Sequence, residues 1–144
     1  MKNYKKAKRD AEELYRSIGN INSSKMENAK IVFNNIGFNH LIRKGPAQRP
    51  FGEQMRRFAL LRHAKVIIEN PDANILDREE SRDTIVDRHG AKVLKRSSVR
   101  YWTFIQEIDE QRIKLVVRQI DRGQKHFYSI MGKKLKPKKP QGLL

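Results

Sequence analysis

Val99-Arg-Tyr-Trp-Thr-Phe-Ile-Gln-Glu-Ile108, then Asp109-Glu110-Gln111-Arg112, then Ile113-Lys-Leu-Val-Val-Arg-Gln-Ile120, then Asp121-Arg122-Gly123, then Lys125-His-Phe-Tyr-Ser-Ile-Met131: this run decides the fold. Its three long segments are rich in β-branched and aromatic residues, which suit a pleated, half-buried surface. Polar turns separate them, so they predict an antiparallel meander. Upstream, Ile75-Leu76 reads as a short strand, and Thr84–Asp87 and Ala91–Lys95 flank an Arg88-His89-Gly90 turn as in a hairpin. The acids Glu79, Glu80 and Asp83 stand among Arg78, Arg82 and Arg88 and read as a solvated, mixed-charge connector.

Before Asn70-Pro71-Asp72 the texture is helical. Ala7, Ala11, Leu14, Tyr15 and Ile18 make one stripe over 5–18, stopped by Gly19-Asn20. Ser23 or Ser24, with Glu27 placed as in a capping box, predicts a second helix carrying Met26, Ala29, Ile31, Val32 and Ile36, broken by Gly37. Phe38–Arg43 reads as a brief extended segment. Pro50 opens a third helix over about 51–68, with Phe51, Met55, Phe58, Leu61 and Ile68 inward. Helices first and strands after predict an α+β fold, with N-terminal helices packed on one face of a C-terminal antiparallel β-meander.

Strand alternation divides the meander into faces. Leu115, Val117 and Gln119 share one; Lys114, Val116 and Arg118 share the other. On the last strand Lys125, Phe127, Ser129 and Met131 oppose His126, Tyr128 and Ile130. Which set joins Arg118 depends on register.

The 144 residues carry 32 Lys+Arg against 16 Asp+Glu, a net charge of +16, with 38% hydrophobic residues. That suits one domain and an anionic partner. Five of the cations lie in 1–9 and five in 133–144, with no acid in either, so the middle carries only +6. The reading divides the chain into a basic N-terminal helix or linker (1–22), an α+β domain (23–132) and a basic tail (133–144). No apolar run is long enough to span a membrane, and no charged-then-apolar secretory signal opens the chain. There is no cysteine, and the four histidines are scattered, so no metal-ligand spacing and no cofactor motif are present.

Three stretches carry a resemblance: Phe38-Asn-His-Leu-Ile-Arg-Lys44, the helix ending Val66-Ile-Ile-Glu-Asn-Pro-Asp72, and the strand pair Lys114–Ile120 and Lys125–Met131. Over about 30–132 their order resembles the barnase/EndoU/colicin/RelE-like (BECR) nuclease superfamily, in its phage- and polymorphic-toxin branches. The resemblance implies a metal-independent endoribonuclease toxin, in which the 2′-OH attacks the adjacent phosphate and leaves a 2′,3′-cyclic phosphate. It implies cellular RNA as substrate, tRNA among the candidates, and an acidic immunity protein or antitoxin as partner. It also implies action in the cytoplasm of a target bacterial cell, after delivery as the C-terminal domain of a secreted toxin. Mapped onto this chain, the site would hold His40, Arg118 and Ser129, with Lys125, His126 and Tyr128 as neighbours. The chemistry needs a base, cations for the phosphorane and an acid for the leaving oxygen, and these residue types can supply all three. His63 and His89 read as structural or exposed, and Trp102 and Phe104 as core. The rival readings are a non-catalytic basic RNA-binding module and a deoxyribonuclease.

Overall fold

The computed structural model describes residues 2–136. The fold is α+β, built on a curled, mixed six-stranded sheet. Helix α1 (Lys2–Ile18) leads into strands β1 (Asn20–Ser23) and β2 (Ala29–Val32). Helix α2 (Asn35–Ile42) is followed by a two-residue-per-strand hairpin, β3 (Arg43–Lys44) and β4 (Ala47–Gln48). Helix α3 (Phe51–Leu60) continues through a 3₁₀ turn (Leu61–His63) into α4 (Ala64–Glu69). Four strands close the chain: β5 (Asn74–Arg88), β6 (Ala91–Ile108), β7 (Gln111–Ile120) and β8 (Lys125–Lys134). The strand order is β1-β2-β8-β7-β6-β5, antiparallel except between β2 and β8.

The expected meander is present, and the single helix expected over about 51–68 is divided into α3 and α4 by the 3₁₀ turn Leu61–His63. The expected second helix does not form. Residues 20–32 form a β-hairpin around a single 3₁₀ turn, Ser24–Met26, which Ser23 caps by accepting from the Met26 N–H. Glu27 and Asn28 both take left-handed backbone (φ 59° and 60°), which reverses the chain where a helix would have continued. Ile21 and Ile31, paired across the hairpin, are both buried. Two buried β-branched residues facing each other outweigh the capping-box pattern.

Phe38–Ile42 is helical rather than extended, and of the expected extended segment only Arg43 is strand. Asn34 caps α2 by accepting from the Gly37 N–H, so a helix starts at Asn35, where the expected one was about to end. Gly37 lies inside α2, pressed on β8: a Cβ there would collide with the Phe127 carbonyl oxygen and the Tyr15 hydroxyl. The expected connector around Glu79–Asp83 is strand, part of β5 paired to β6 in unbroken register. Pairing also carries β8 to Lys134, so the first residues of the expected tail belong to the sheet. Residues 137–144, the rest of that tail, lie outside the described residues.

The core lies between the helices and the sheet face bearing Phe104, Ile113, Leu115, Val117, Phe127 and Ile130, all fully buried. α1 contributes Ala11 and Tyr15 to that same core. α2 and α3 also lie along β8, beyond the two residue pairs that join β2 to it. They therefore reach the edge of the opposite sheet face, where the site is found.

Candidate active site

A bulge in β8 decides who meets whom. Leu115 pairs with Ile130 and Val116 with Ser129, but Val117 pairs with Phe127 and Arg118 with His126. Tyr128 is the extra residue. Directly paired residues share a face, so the bulge moves Ser129 out of the Phe127 set and onto the side of Arg118 and His126. Ile130 is returned to the core. Plain alternation had separated Ser129 from His126 and left open which of them joins Arg118.

Arg118 Nε donates to His126 Nε2 at 3.1 Å, and its guanidinium carbon lies 4.1 Å from the Tyr128 ring centre. The His40 ring also packs on Tyr128, centroid to centroid 4.2 Å. Tyr101, paired to Arg118 on β6, closes the row at 6.0 Å from Tyr128. Lys125 does not join. It pairs with Ile31 and sets its ammonium 5.6 Å from the Trp102 ring, on the reverse face of the sheet. Trp102 and Phe104 are buried, as expected. His89 lies exposed in the β5–β6 turn, and His63 accepts from Arg62 Nε at 3.2 Å.

Two residues beneath the cleft had not been singled out. Arg57 on α3 is buried and donates to Ser129 Oγ at 3.1 Å and to the Ile130 carbonyl at 3.0 Å. Arg49 is also buried and donates from Nε to the His40 carbonyl at 2.9 Å. Glu53 bridges both guanidiniums, at 3.0 Å and 3.2 Å. Burial works to raise Glu53, but Arg57 and Arg49 outweigh it and hold its carboxyl below the usual range. Glu53 and Arg57 stand at i, i+4 on α3, and Arg49 lies four residues before Glu53, just ahead of the helix; that charge spacing was the signal available in the sequence. Ser129 is 2% exposed and is bonded by Arg57 rather than facing solvent.

A further chain fixes Arg49. The Gln54 amide donates to the Arg49 carbonyl at 2.7 Å, and Tyr4 of α1 donates its hydroxyl to Gln54 Oε1. Helix α1 thereby supports the backbone under His40.

Both histidines are held neutral. Burial, then Arg49, Arg57, Arg118 and Lys44, pushes His40 down to about 4. Burial, then Arg118, lowers His126. Because His126 Nε2 accepts from Arg118, its proton sits on Nδ1, 3.4 Å from the Gln124 carbonyl. His40 Nδ1 is sealed from solvent and bonds to nothing among the described residues, the only such side-chain atom there. The other nitrogen, Nε2, is the one left for a substrate: a neutral imidazole ringed by arginines can take a proton there from a group beside a bound anion. Arg118 leaves its two terminal nitrogens to grip a phosphate as a planar fork. Among the described residues no group of three His, Asp or Glu could hold a metal ion.

The chain matches no protein-family model, no curated protein and no solved structure.

Proposed function

We infer that this cleft cleaves RNA by metal-independent transesterification. One observation carries the reading: His40, Arg118, His126 and Tyr128 meet on one sheet face with buried arginines behind them. His40 takes the 2′-hydroxyl proton. The 2′-oxygen then bonds to phosphorus and the bond to the 5′-oxygen breaks. Arg118 and the Tyr128 hydroxyl stabilise the phosphorane charge. Burial and then Arg118 hold His126 neutral. A bound phosphate offsets the Arg118 charge and draws that guanidinium off Nε2, which then takes a proton from solvent and passes it to the leaving oxygen. The products are a 2′,3′-cyclic phosphate and a 5′-hydroxyl.

The order of α2, α3–α4 and the β5–β8 meander supports a BECR-like reading of the fold. On that reading the chain is a toxin domain acting on cellular RNA, tRNA among the candidates, in a target bacterium, and its basic surface suits an acidic immunity protein. The test is incubation with total tRNA in EDTA, followed by mapping of the ends. Cyclic phosphate ends, lost in His40→Ala with RNA affinity kept, support the reading. Absence of cleavage across several RNAs would sink it.

One observation favours the rival, a non-catalytic RNA-binding module. Neither histidine is protonated at neutral pH before a ligand binds, so the empty cleft offers no ready imidazolium acid. On that reading His40→Ala changes affinity alone.

A further inference from the structure

β7 ends at Ile120, opposite Val99. Beyond that point β5 and β6 continue as a two-stranded ribbon, Ser81–Arg88 on Ala91–Ser98, with no third strand beside it. Isolated two-stranded ribbons are marginal in water, so the extension is a costly feature if it has no task.

Its charges are sorted by face. Arg78 pairs with Tyr101, which pairs with Arg118, so the side bearing Arg78 is the side bearing the cleft. Arg78 and Arg82 both lie over the Tyr101 ring, at 4.6 Å and 5.9 Å. Followed outward in register, this face carries Arg78, Arg82, Lys95 and Arg88 against the single carboxylate of Glu80. The reverse face carries Asp77, Glu79, Asp83 and Asp87 against Arg100, Arg96 and Lys92. One side is therefore a cationic continuation of the cleft, and the other is internally neutralised. Two neighbours temper the track: Glu80 bonds Arg82 at 2.7 Å and Asp121 bonds Lys95 at 3.3 Å. Arg78 to Arg88 spans about 33 Å at about 3.3 Å per residue, room for several nucleotides of extended strand.

We propose that the cleft-side face of the β5–β6 ribbon is a backbone track for a single RNA strand leading into the cleft. The choice of RNA rests on the nuclease reading; the charge sorting and the continuity with the cleft do not.

The test measures binding separately from cleavage. A fluorescein-labelled single strand of about 12 nucleotides, 2′-fluoro-substituted to remove the attacking hydroxyl, is titrated at several salt concentrations. R82Q/R88Q strips the track, and K92Q/R96Q strips the same charge from the reverse face. With about 0.7 counterions released per single-strand phosphate, R82Q/R88Q should flatten the salt slope by about 1.4 and weaken binding about tenfold. K92Q/R96Q should leave the slope unchanged. Equal effects from both variants, or none from either, overturn the track. So does a change in sedimentation with no change in slope, which would make the ribbon a contact between copies through exposed Ile85 and Leu94. A protein that binds along the track but cuts nothing defeats the nuclease reading alone. A protein that cuts a dinucleotide while R82Q/R88Q binds the longer strand normally defeats the track alone.

Discussion

Arg118 spends only its Nε on the protein, holding His126 Nε2 at 3.1 Å, and that one bond both fixes the imidazole tautomer and aims the rest of the guanidinium outward. Lysine at this position would keep the charge and lose the bond, the planar fork and the stacking on Tyr128. Arg118→Lys is expected to lower kcat/KM on RNA about 100-fold, the scale for removing one preorganised donor of developing charge. Nitrogen NMR of His126 supplies an independent readout, because the Nδ1–H tautomer should no longer dominate. A variant with full activity and an unchanged tautomer would remove Arg118 from the mechanism.

Stability should fall with acid well before carboxylates titrate. His40 is driven down to about 4, below its ordinary 6.5, so between those values the unfolded chain binds a proton that the native state refuses. Stability is therefore fully present above about pH 6.5 and lost as pH drops toward 4. With a discount for the partly exposed ring, the loss is about 2 kcal/mol. His126, lowered in the same sense, adds to it. Urea midpoints between pH 7 and pH 5 read the slope above the range of Glu53, and His40→Gln should flatten most of it. An unaltered slope in that variant would mean that His40 is solvated.

The same displacement predicts the activity profile. A base that is neutral above about pH 4 gives a kcat/KM limb rising near that value, not near 6.5. Arg49→Gln removes one cation beside His40 and should move the limb upward. A limb near 6.5 in the wild type would assign the base elsewhere.

Gly37→Ala tests how α2 is seated. The added methyl meets the Phe127 backbone and the Tyr15 hydroxyl, neither of which can swing aside cheaply. We expect about 1–3 kcal/mol of destabilisation by thermal melting, as for other overpacked sites. The helix carrying His40 should also stand off from Tyr128. A neutral substitution would show that α2 packs more loosely than this.

Tyr4→Phe probes support from a distance. It leaves the fully buried Gln54 without a partner for its oxygen, at a cost of about 1–3 kcal/mol. The effect on cleavage should fall on kcat with KM nearly constant, since Arg49 and the His40 backbone lose their brace while the exposed cations stay. A pure KM effect would instead make Tyr4 part of the binding surface.

Much of this architecture was legible in the residues. The meander from Val99 onward, the turns at Asp109 and Asp121, and the helix after Pro50 follow from local preference that tertiary packing leaves in force. The 20–32 hairpin was not, because Ser23, Glu27 and the apolar spacing satisfy a helix equally well. The facing of buried Ile21 and Ile31, and the pairing of Ile31 with Lys125 about ninety residues later, make strands of that segment. The cleft was legible in its residue types and not in its membership. Period-2 alternation cannot foresee a bulge, so it set Ser129 apart from His126 and left open which of them shares a face with Arg118. Nor could it weigh Lys125, whose side chain turns to Trp102. Arg49 and Arg57 carried no signal beyond their spacing from Glu53, and only the packing of Arg57 against β8 and of Arg49 under the His40 carbonyl makes them part of the floor.

The two residue pairs between β2 and β8 are the sole parallel seam of the sheet, and they have a kinetic consequence. Closing a contact across about ninety residues is slow, whereas the β5–β8 hairpins form locally. The Trp102 environment should therefore recover early in refolding, while His40 meets Tyr128 only once the N-terminal third has docked. Until then the molecule is a sheet with half a cleft, and RNA-cutting power should return as a late, all-or-none step behind the fluorescence signal. Simultaneous recovery of the two would place the seam in the first folding event.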